Sequence, residues 1–317
     1  MKLAEIAAPD FDLEKTLASG QVFHWDRTER GFIGTIGDRA TFVEQVGDVL
    51  RARESEQGSD RLNRSSLSGV GGERLEEKLA HYFALDHPLA KICASFPSDP
   101  AMNAARDFCH GLRIIRQPKW ECLAMFICSS MKQVAHIRQI STALRQRFGE
   151  ARRVGDFIVY TFPSAQRLAE SSERELRECA LGYRAKNLLA TARLIRSGTA
   201  DLEGWSAAED VDLRQALTGL PGVGAKVANC VMLFAYERLR AFPIDVWIER
   251  VLRRNYFPRA RKLNAARLRT FTEDYFGEHG GYAQQYLFHH ARTNKSKTRS
   301  RNKRSKGREA HLSAMAR

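Results

Sequence analysis

The chain has 317 residues, of which 43% are hydrophobic and 28% charged, and its formal net charge is +14. This composition excludes a fully disordered or membrane-embedded protein, because the chain can bury a core for two packed domains and lacks an apolar run of about 18 residues. The basic balance indicates a polyanionic partner, although a charge that only aids solubility has the same composition. The first eleven residues lack the pattern of a secretory signal. We therefore predict an intracellular protein, in the cytoplasm or nucleoid of a bacterium or the nucleus of a eukaryote, with no membrane partner.

Short strands and tight turns are predicted between Gly31 and Arg53. Apolar residues form short runs there, and the dipeptides Gly37-Asp38 and Gly47-Asp48 separate these runs as hairpin turns do. Residues 54–72 are polar and rich in Ser and Gly, which predicts an exposed connection. These features predict a β-rich N-terminal domain over residues 1–98.

Apolar residues recur at helical spacing from Glu73 onward, beginning with Leu75, Leu79 and Phe83. Prolines and glycines divide the rest of the chain into helices of ordinary length. We predict that almost all of this part is helical and that it forms a second domain over residues 99–291. The predicted fold class is therefore α+β.

The last 26 residues, 292–317, carry ten Lys and Arg against one acid, Glu309, which leaves about +5 for the rest of the chain. Between Thr293 and Gly307 almost nothing is apolar, so burial cannot offset the entropy of ordering this segment. We predict a disordered basic tail. It either adds non-specific affinity for a polyanion or is simply a solvated terminus.

Six cysteines are scattered along the chain without a Cys-x-x-Cys pair. This spacing indicates neither a zinc site nor a disulfide framework. No cysteine follows Cys230, so the C-terminal part lacks the closely spaced ligands of an iron–sulfur cluster. We expect no required cofactor and no side-chain metal site.

The most informative segment, residues 213–233, has the pattern of a helix, a glycine turn and a second helix. Residues 219–226 read Gly-Leu-Pro-Gly-Val-Gly-Ala-Lys. Gly222 and Gly224 permit backbone angles closed to other residues and leave N–H groups uncovered at the start of the second helix. Such amides can bind a DNA phosphate, although many helical hairpins use glycines only for structure.

Lys226 lies two residues after Gly224, at the start of an apolar helix. A lysine there is either a phosphate contact or a nucleophile. The positive end of the helix dipole and partial desolvation disfavour the ammonium form. A neutral amine in a cleft can attack a sugar carbon and form a Schiff base.

Asp245 follows nineteen residues later, just after Pro243 and before another amphipathic helix. The commonest reason for an aspartate at such a position is that it caps the helix. Its carboxylate can also stabilise positive charge that develops on a sugar. The two roles are compatible, because a cap aims the carboxylate rigidly.

With these features in place, the sequence resembles the helix-hairpin-helix DNA glycosylases, and within them the 8-oxoguanine DNA glycosylase family. The resemblance runs from about Phe11 to Arg292. The matching segments, in chain order, are Ser19–Trp25, Glu121–Leu123 with Phe126–Ser130, Leu181–Ala185, Leu220–Cys230, Pro243–Val246, and Tyr282–Gln284 with Leu287–Phe288.

The resemblance implies an N-terminal antiparallel sheet domain packed on a helical body, with duplex DNA containing oxidised guanine in the cleft between them. It also implies a bifunctional enzyme in which a lysine displaces the base and the resulting imine allows β-elimination of the strand. Lys226 and Asp245 match the catalytic pair. We expect a protein of this kind to act as a monomer.

Base recognition is implied by four further matches. Gly20 matches the residue whose carbonyl accepts the N7 hydrogen of 8-oxoguanine, which guanine lacks; it can also be an ordinary turn residue. Phe288 and Cys230 match the pair that sandwiches the flipped base, and Gln284 matches the reader of its pairing edge. Taken singly, Phe288 and Cys230 are more often core residues than ligand contacts.

Contacts with DNA are implied at the hairpin and at a wedge. At the hairpin we expect them from Gly222, Gly224 and Val227, and Tyr183 and Arg184 match a wedge and a partial reader of the orphaned base. Carbonyls of the hairpin often hold a cation; here these would come from Thr218, Leu220 and Val223.

The sequence departs from the family after Ser129-Ser130, where familiar members carry three asparagines and then an arginine. Here those places hold Met131, Lys132, Gln133 and His136. We expect Met131 and His136 to contact DNA, but methionine cannot hydrogen-bond a base edge. This departure predicts weaker discrimination of the base opposite the lesion.

Two alternatives stay open at this point. The chain can be a related glycosylase for another damaged base, although the pyrimidine- and adenine-directed branches usually carry an iron–sulfur cluster and the alkylation branch usually lacks the lysine. It can also be a non-catalytic DNA-binding module. The pairing of Lys226 with Asp245 argues against such a module.

Overall fold

A computed structural model describes residues 3–55, 74–130 and 132–293. Its N-terminal part contains one antiparallel sheet of five strands in the order β1-β5-β4-β3-β2. The strands are β1 (Ala4–Ala7), β2 (Asp26–Arg27), β3 (Phe32–Ile36), β4 (Arg39–Val46) and β5 (Val49–Glu54). The two predicted turns connect β3 to β4 and β4 to β5, and Gly37 and Gly47 both have positive φ, at 61° and 58°. The predicted hairpins are therefore confirmed.

Helices make up most of the remaining chain. They are α1 (Leu13–Ala18), α2 (Leu75–Tyr82), α3 (Leu89–Ala94), α4 (Pro100–Phe108), α5 (Lys119–Cys128), α6 (Val134–Phe148), α7 (Ala165–Ala169), α8 (Glu173–Leu176), α9 (Arg184–Arg196), α10 (Asp210–Thr218), α11 (Ala225–Ala235), α12 (Val246–Asn255), α13 (Ala265–Phe276) and α14 (280–293). Several of their ends fall at the expected residues, since Pro118 precedes α5 and Gly149 follows α6. An N-terminal antiparallel sheet and a mainly helical body confirm the α+β class.

A second hairpin interrupts the helical part, where we predicted helix; for this segment the prediction was wrong. It consists of β6 (Ala151–Val154) and β7 (Phe157–Tyr160), joined at Gly155, whose φ is 58°. Val154 packs with Ile33 and Phe42, so the hairpin covers the face of the sheet opposite the main N-terminal core. Gly155-Asp156 repeats the dipeptide of the two predicted turns and was an available signal.

Two apolar cores correspond to the two parts of the fold. The smaller lies between the sheet and helices α1 and α2 and includes Trp25, Leu50 and Leu79. The larger fills the helical body and includes Leu89 and Ile92 of α3, which precede the predicted domain boundary at residue 98. The polar connection predicted over residues 54–72 lies largely, and the basic tail beyond Thr293 wholly, outside the described residues.

A buried polar network joins the two parts. The Glu121 carboxylate of α5 is paired with the guanidinium of Arg145 and lies 3.1 Å from Nδ1 of His24. His24 Nε2 is 2.9 Å from the carbonyl oxygen of Thr35 in β3, and Arg145 donates to the Thr35 hydroxyl at 2.8 Å. The network thereby holds the segment that begins at Ser19 against the helical body. Among the helices in the described ranges, none has the length and apolar character needed to cross a membrane.

Candidate active site

A cavity of about 960 Å³ brings together residues from both parts of the fold. The chain segment after α1 contributes Gly20, and the C-terminal end of α5 contributes Phe126 and Ser129. The remaining walls include Lys226 of α11, Asp245 at the start of α12, and Phe288 and Arg292 of α14. The predicted catalytic pair and two of the four predicted base-recognition residues therefore line one cavity.

The amine of Lys226 faces this cavity and is half-buried. Lys226 is the second residue of α11, and its Nζ donates a hydrogen bond to Ser129 Oγ at 3.3 Å. The same nitrogen lies 4.9 Å from the centroid of the Phe126 ring. Ser129 and Phe126 belong to a segment that matches the family, but no local pattern in the sequence predicts their contact with the lysine.

Asp245 is the N-cap of α12, and its Oδ1 accepts a hydrogen bond from the backbone N–H of Ile248 at 2.8 Å. Burial raises the pKa of this carboxyl above its ordinary value, while the backbone N–H of Ile248 and the Lys226 ammonium oppose that rise. The carboxylate is therefore held in a fixed direction within electrostatic range of the lysine. The capping role is as expected.

Gly20 and Phe288 lie in contact on another side of the cavity. Gly20 has a φ of 89°, and a Cβ atom added there would lie 3.3 Å from Cε1 of Phe288. An L-amino acid at this position would be strained by its backbone and crowded by the ring. The local structure thus explains a glycine whose backbone reaches the cavity directly.

Cys230 and Gln284 are buried one turn away from cavity residues. Cys230 lies one turn after Lys226 on α11, and burial raises the pKa of its thiol to about 11, so that the thiol is neutral near pH 7. Cys230 is not among the residues that line the cavity. Gln284, one turn before Phe288, is 4% exposed, and its Oε1 has no hydrogen-bond partner in the described part of the chain. A buried amide oxygen without a partner costs about 1–3 kcal/mol, which a ligand donor would remove.

The hairpin between α10 and α11 has the predicted backbone geometry at Gly222 but not at Gly224, whose backbone is extended and open to other residues. Gly222 has a φ of 82°, whereas Gly224 is exposed and a Cβ atom added to it would meet nothing within 4 Å. The side chain of Val227 is buried and cannot contact DNA. A contact with phosphate would therefore come from its backbone N–H, which lies in the first turn of α11. Within residues 3–55, 74–130 and 132–293, no cluster of three His, Cys, Asp or Glu side chains is placed to hold a metal ion. The expected cation on hairpin carbonyls stays a prediction.

The predicted wedge and reader differ in exposure. Tyr183 is 57% exposed, as an inserting side chain requires. Arg184 is only 5% exposed, and its guanidinium donates to the carbonyl oxygens of Ser130, from Nε at 2.8 Å, and of Leu181, from Nη1 at 3.2 Å. In this conformation Arg184 fixes the turn after α5, and the N–H groups it uses there are not free to read a base.

The segment after Ser130 lies at the edge of the cavity. Lys132 and Gln133 are exposed and line it, whereas the exposed His136 does not. Met131 lies outside the described residues. Trp247 and Arg250 of α12 line the opposite edge, with the Arg250 guanidinium 6.0 Å from the Trp247 ring centroid.

Arg292 is a cavity residue that sequence analysis missed. We assigned it to the start of the basic tail, but α14 continues through residue 293 and carries the Arg292 side chain into the cavity wall. Residues 292 and 293 are helical, although the polar, basic composition of the tail already begins there. No local sequence pattern distinguishes Arg292 from the arginines that follow.

A five-stranded sheet packed on a helical body, with a hairpin lysine facing a cavity, defines a helix-hairpin-helix base-excision DNA repair protein. Two family models agree with this class. Residues 4–123 match the N-terminal domain of 8-oxoguanine DNA glycosylase, and residues 124–273 match the HhH-GPD superfamily of base excision DNA repair proteins.

Individual relatives give the particular family. The N-glycosylase/DNA lyase of Saccharomyces cerevisiae is 31% identical over 277 residues, covering 81% of this chain and 72% of the relative. The Clostridium acetobutylicum 8-oxoguanine glycosylase/lyase, solved with double-stranded DNA containing cytosine opposite 8-oxoguanine, is 28% identical with a TM-score of 0.80 and covers 93% of this chain and 99% of its own. A structure of MBOgg1 with a low-affinity DNA ligand is 30% identical with a TM-score of 0.81, covering 93% and 100%. The chain belongs to the 8-oxoguanine DNA glycosylase family.

Proposed function

We propose that this protein is a bifunctional DNA glycosylase and AP lyase that excises 8-oxoguanine from duplex DNA. The observation that carries the proposal is the Lys226 amine, which faces a cavity that it shares with the Asp245 carboxylate and with Gly20 and Phe288. The relatives named N-glycosylase/DNA lyase support the same pair of activities. Duplex DNA containing oxidised guanine is therefore the proposed partner.

The chemistry begins with Lys226 as the nucleophile. Its neutral amine attacks the anomeric carbon of the flipped nucleotide, the bond to the base breaks, and the base leaves with the bonding electron pair and takes up a proton. The Asp245 carboxylate stabilises the positive charge that develops on the sugar. Opening of the sugar ring and loss of the nitrogen's proton give an imine. Removal of a proton from the adjacent carbon then expels the 3′ phosphate by β-elimination.

Recognition of the base uses four further residues in and around the cavity. We assign the Gly20 carbonyl to the N7 hydrogen of 8-oxoguanine and the Phe288 ring to one face of the base. The unpartnered Oε1 of buried Gln284 supports its role at the pairing edge, because a flipped base supplies the missing donor. Cys230, one turn from Lys226, is the proposed cover of the second face.

Borohydride trapping tests the proposal, because borohydride reduces the imine to a stable secondary amine. Wild-type protein should form a covalent adduct with a duplex containing 8-oxoguanine, and Lys226→Gln should form none. Lys91→Gln is the matched control: it removes an exposed lysine that does not line the cavity, and its adduct should equal that of wild type. An adduct that persists in Lys226→Gln would place the nucleophile elsewhere. A wild-type protein that binds the duplex without forming an adduct would be a non-catalytic module.

We also propose a relaxed preference for the base opposite the lesion. Family asparagines are replaced by Met131, Lys132 and Gln133, and the Arg184 guanidinium is engaged by backbone carbonyls. Each lost bidentate contact forfeits about 1–3 kcal/mol of discrimination.

Single-turnover excision rates opposite each of the four bases measure this preference. We expect the four rates to agree within about tenfold, and Met131→Asn to shift them toward cytosine by restoring one amide. A wild-type preference for cytosine of about a hundredfold or more would contradict the proposal.

A further inference from the structure

Two arginines, Arg250 and Arg292, line the cavity without a role in the proposed reaction, and Arg292 is the one that lies beside Gly20 and Phe288. Arg292, in the last turn of α14, lines the same cavity as Lys226 and Asp245. Its side chain is half-buried although the sequence around it is that of a solvated tail. A cation placed there requires a physical reason, because removing a charge from water is costly.

The position of the guanidinium is set by two neighbours. Its Nη2 donates a hydrogen bond to the carbonyl oxygen of Ala18, at the end of α1, and its central carbon lies 5.5 Å from the centroid of the Phe288 ring. A Cβ atom added to Gly20 would lie 3.1 Å from Nη1. The guanidinium is therefore fixed beside the Gly20 backbone and over the ring proposed to stack on the base.

The charge of Arg292 is not neutralised by an adjacent acid. In the described ranges no carboxylate forms a salt bridge with it, and the hydrogen bond to Ala18 is the one found for its side chain. Burial and the charge of Arg138 lower the pKa of Arg292, and Asp245 partly offsets this effect. A guanidinium carries five N–H donors, so most of them stay available to a ligand in the cavity.

The chemistry of the lesion supplies a matching acceptor. In 8-oxoguanine the N7 hydrogen lies next to a carbonyl at C8, so the edge presents a donor and an acceptor side by side. Guanine has a lone pair at N7 and a C–H at C8. With the acceptor of Gly20 facing N7 and the cationic donor facing C8, both contacts match the oxidised edge, whereas guanine would place its N7 lone pair against the acceptor and a C–H against the donor.

We infer that Arg292 is a specificity-determining residue that donates a hydrogen bond to the C8 carbonyl of the flipped base. The inference rests on the proposed function and adds to it a second contact that reads the oxidised edge. The contact requires only the oxidised edge, so 8-oxoadenine should share it. The Arg292 contact thus contributes to discrimination against undamaged guanine, and Lys226 carries out the bond breaking.

Equilibrium binding in a Lys226→Gln background tests this role, because no covalent step then obscures the affinity. The measurements are the Kd values for two duplexes that differ only in carrying 8-oxoguanine or guanine opposite cytosine. Arg292→Leu should lower the preference for 8-oxoguanine by about tenfold or more, the effect of losing one hydrogen bond to a charged donor. Arg292→Lys should retain part of the preference. Arg138→Leu is the charge control: it removes a cation that acts on Arg292 but does not line the cavity, and should leave the preference unchanged.

Other results would overturn the inference. An equal loss of affinity for both duplexes would show that Arg292 binds a phosphate or only ties α14 to Ala18. An unchanged preference in Arg292→Leu would show that the guanidinium does not read the base. If the Leu variant does not fold, Arg292→Gln replaces it, because it keeps a polar side chain at this position but lacks the cationic fork. Absence of any preference in Lys226→Gln alone would instead refute the proposed base recognition itself, which makes the two failures distinguishable.

Discussion

At the scale of single residues, Asp245 combines a structural and an electrostatic role in one carboxylate. Capping α12 requires only an acceptor oxygen, which asparagine also provides. Stabilising a cationic sugar requires the negative charge. Since folding raises the pKa of Asp245, its ionised form lowers the stability of the native state at any pH above the ordinary aspartate value.

The two roles separate in Asp245→Asn. We expect excision of 8-oxoguanine to slow by about 10²–10⁴-fold, while the free energy of unfolding near pH 7 changes by less than about 1 kcal/mol or rises slightly. The titration of Asp245 should contribute a step to the wild-type pH–rate profile above the ordinary aspartate pKa of about 3.9, and that step should be absent in the variant. Asp245→Ala is the control for capping and should lose about 0.5–2 kcal/mol of stability. Unchanged excision in Asp245→Asn would leave Asp245 as a cap alone.

At the scale of elements, the hairpin between α10 and α11 uses its two glycines differently. Gly222 has a backbone conformation that disfavours L-amino acids, and a Cβ atom there would lie 2.8 Å from Cβ of Asn187. Gly224 has an extended backbone and faces open space. One glycine therefore serves the turn, and the other keeps the start of α11 accessible.

Two alanine substitutions distinguish these functions. Gly222→Ala should lower the free energy of unfolding by about 1–3 kcal/mol, because of strain and the clash with Asn187. Gly224→Ala should keep its stability within about 0.5 kcal/mol but weaken binding of duplex DNA, since the added methyl group occupies the approach of a phosphate. Denaturant unfolding and equilibrium DNA binding provide the two measurements. Wild-type affinity in Gly224→Ala would exclude these amides as the phosphate site.

At the scale of the whole molecule, the cavity depends on how the sheet part is held against the helical body. Gly20 belongs to the N-terminal part and Lys226 to the helical body, so their separation is set by contacts between the two. The network of His24, Glu121 and Arg145 is one such contact. Burial raises the pKa of Glu121 and lowers that of His24, and Arg145 opposes the first shift and adds to the second.

Removing the central carboxylate should therefore be severe. Glu121→Ala leaves the Arg145 guanidinium buried without its partner, and we expect a loss of about 3–5 kcal/mol in the free energy of unfolding. Glu178→Ala is the matched control, because Glu178 forms exposed ion pairs with Arg147 and Arg174 and should change stability by less than about 1 kcal/mol. Thermal and denaturant unfolding measure both variants. Equal, small effects would mean that the network does not hold the two parts together.

Much of the fold and part of the site follow from local sequence patterns. The turns at Gly37, Gly47 and Gly222 could be predicted because each encodes its backbone conformation in one or two residues, whereas the special conformation predicted for Gly224 was wrong. The second hairpin was missed although Gly155-Asp156 carries the same turn signal, because the surrounding apolar spacing predicts helix and Val154 packs on the sheet only in the tertiary structure. The Arg184 contacts were missed because one of the acceptors, the carbonyl oxygen of Ser130, is 54 positions away in the sequence.

By itself, the sequence determined the helical hairpin, the position of Lys226 at the start of α11 and the cap at Asp245, because capping and helical periodicity act over a few residues. Only the tertiary structure decided that Ser129 contacts the lysine, that the buried oxygen of Gln284 has no partner among the described residues, and that Arg292 reaches the cavity. Those contacts join residues up to 274 positions apart, as in the bond from Arg292 to Ala18, and the chain brings such residues together only when its cores pack.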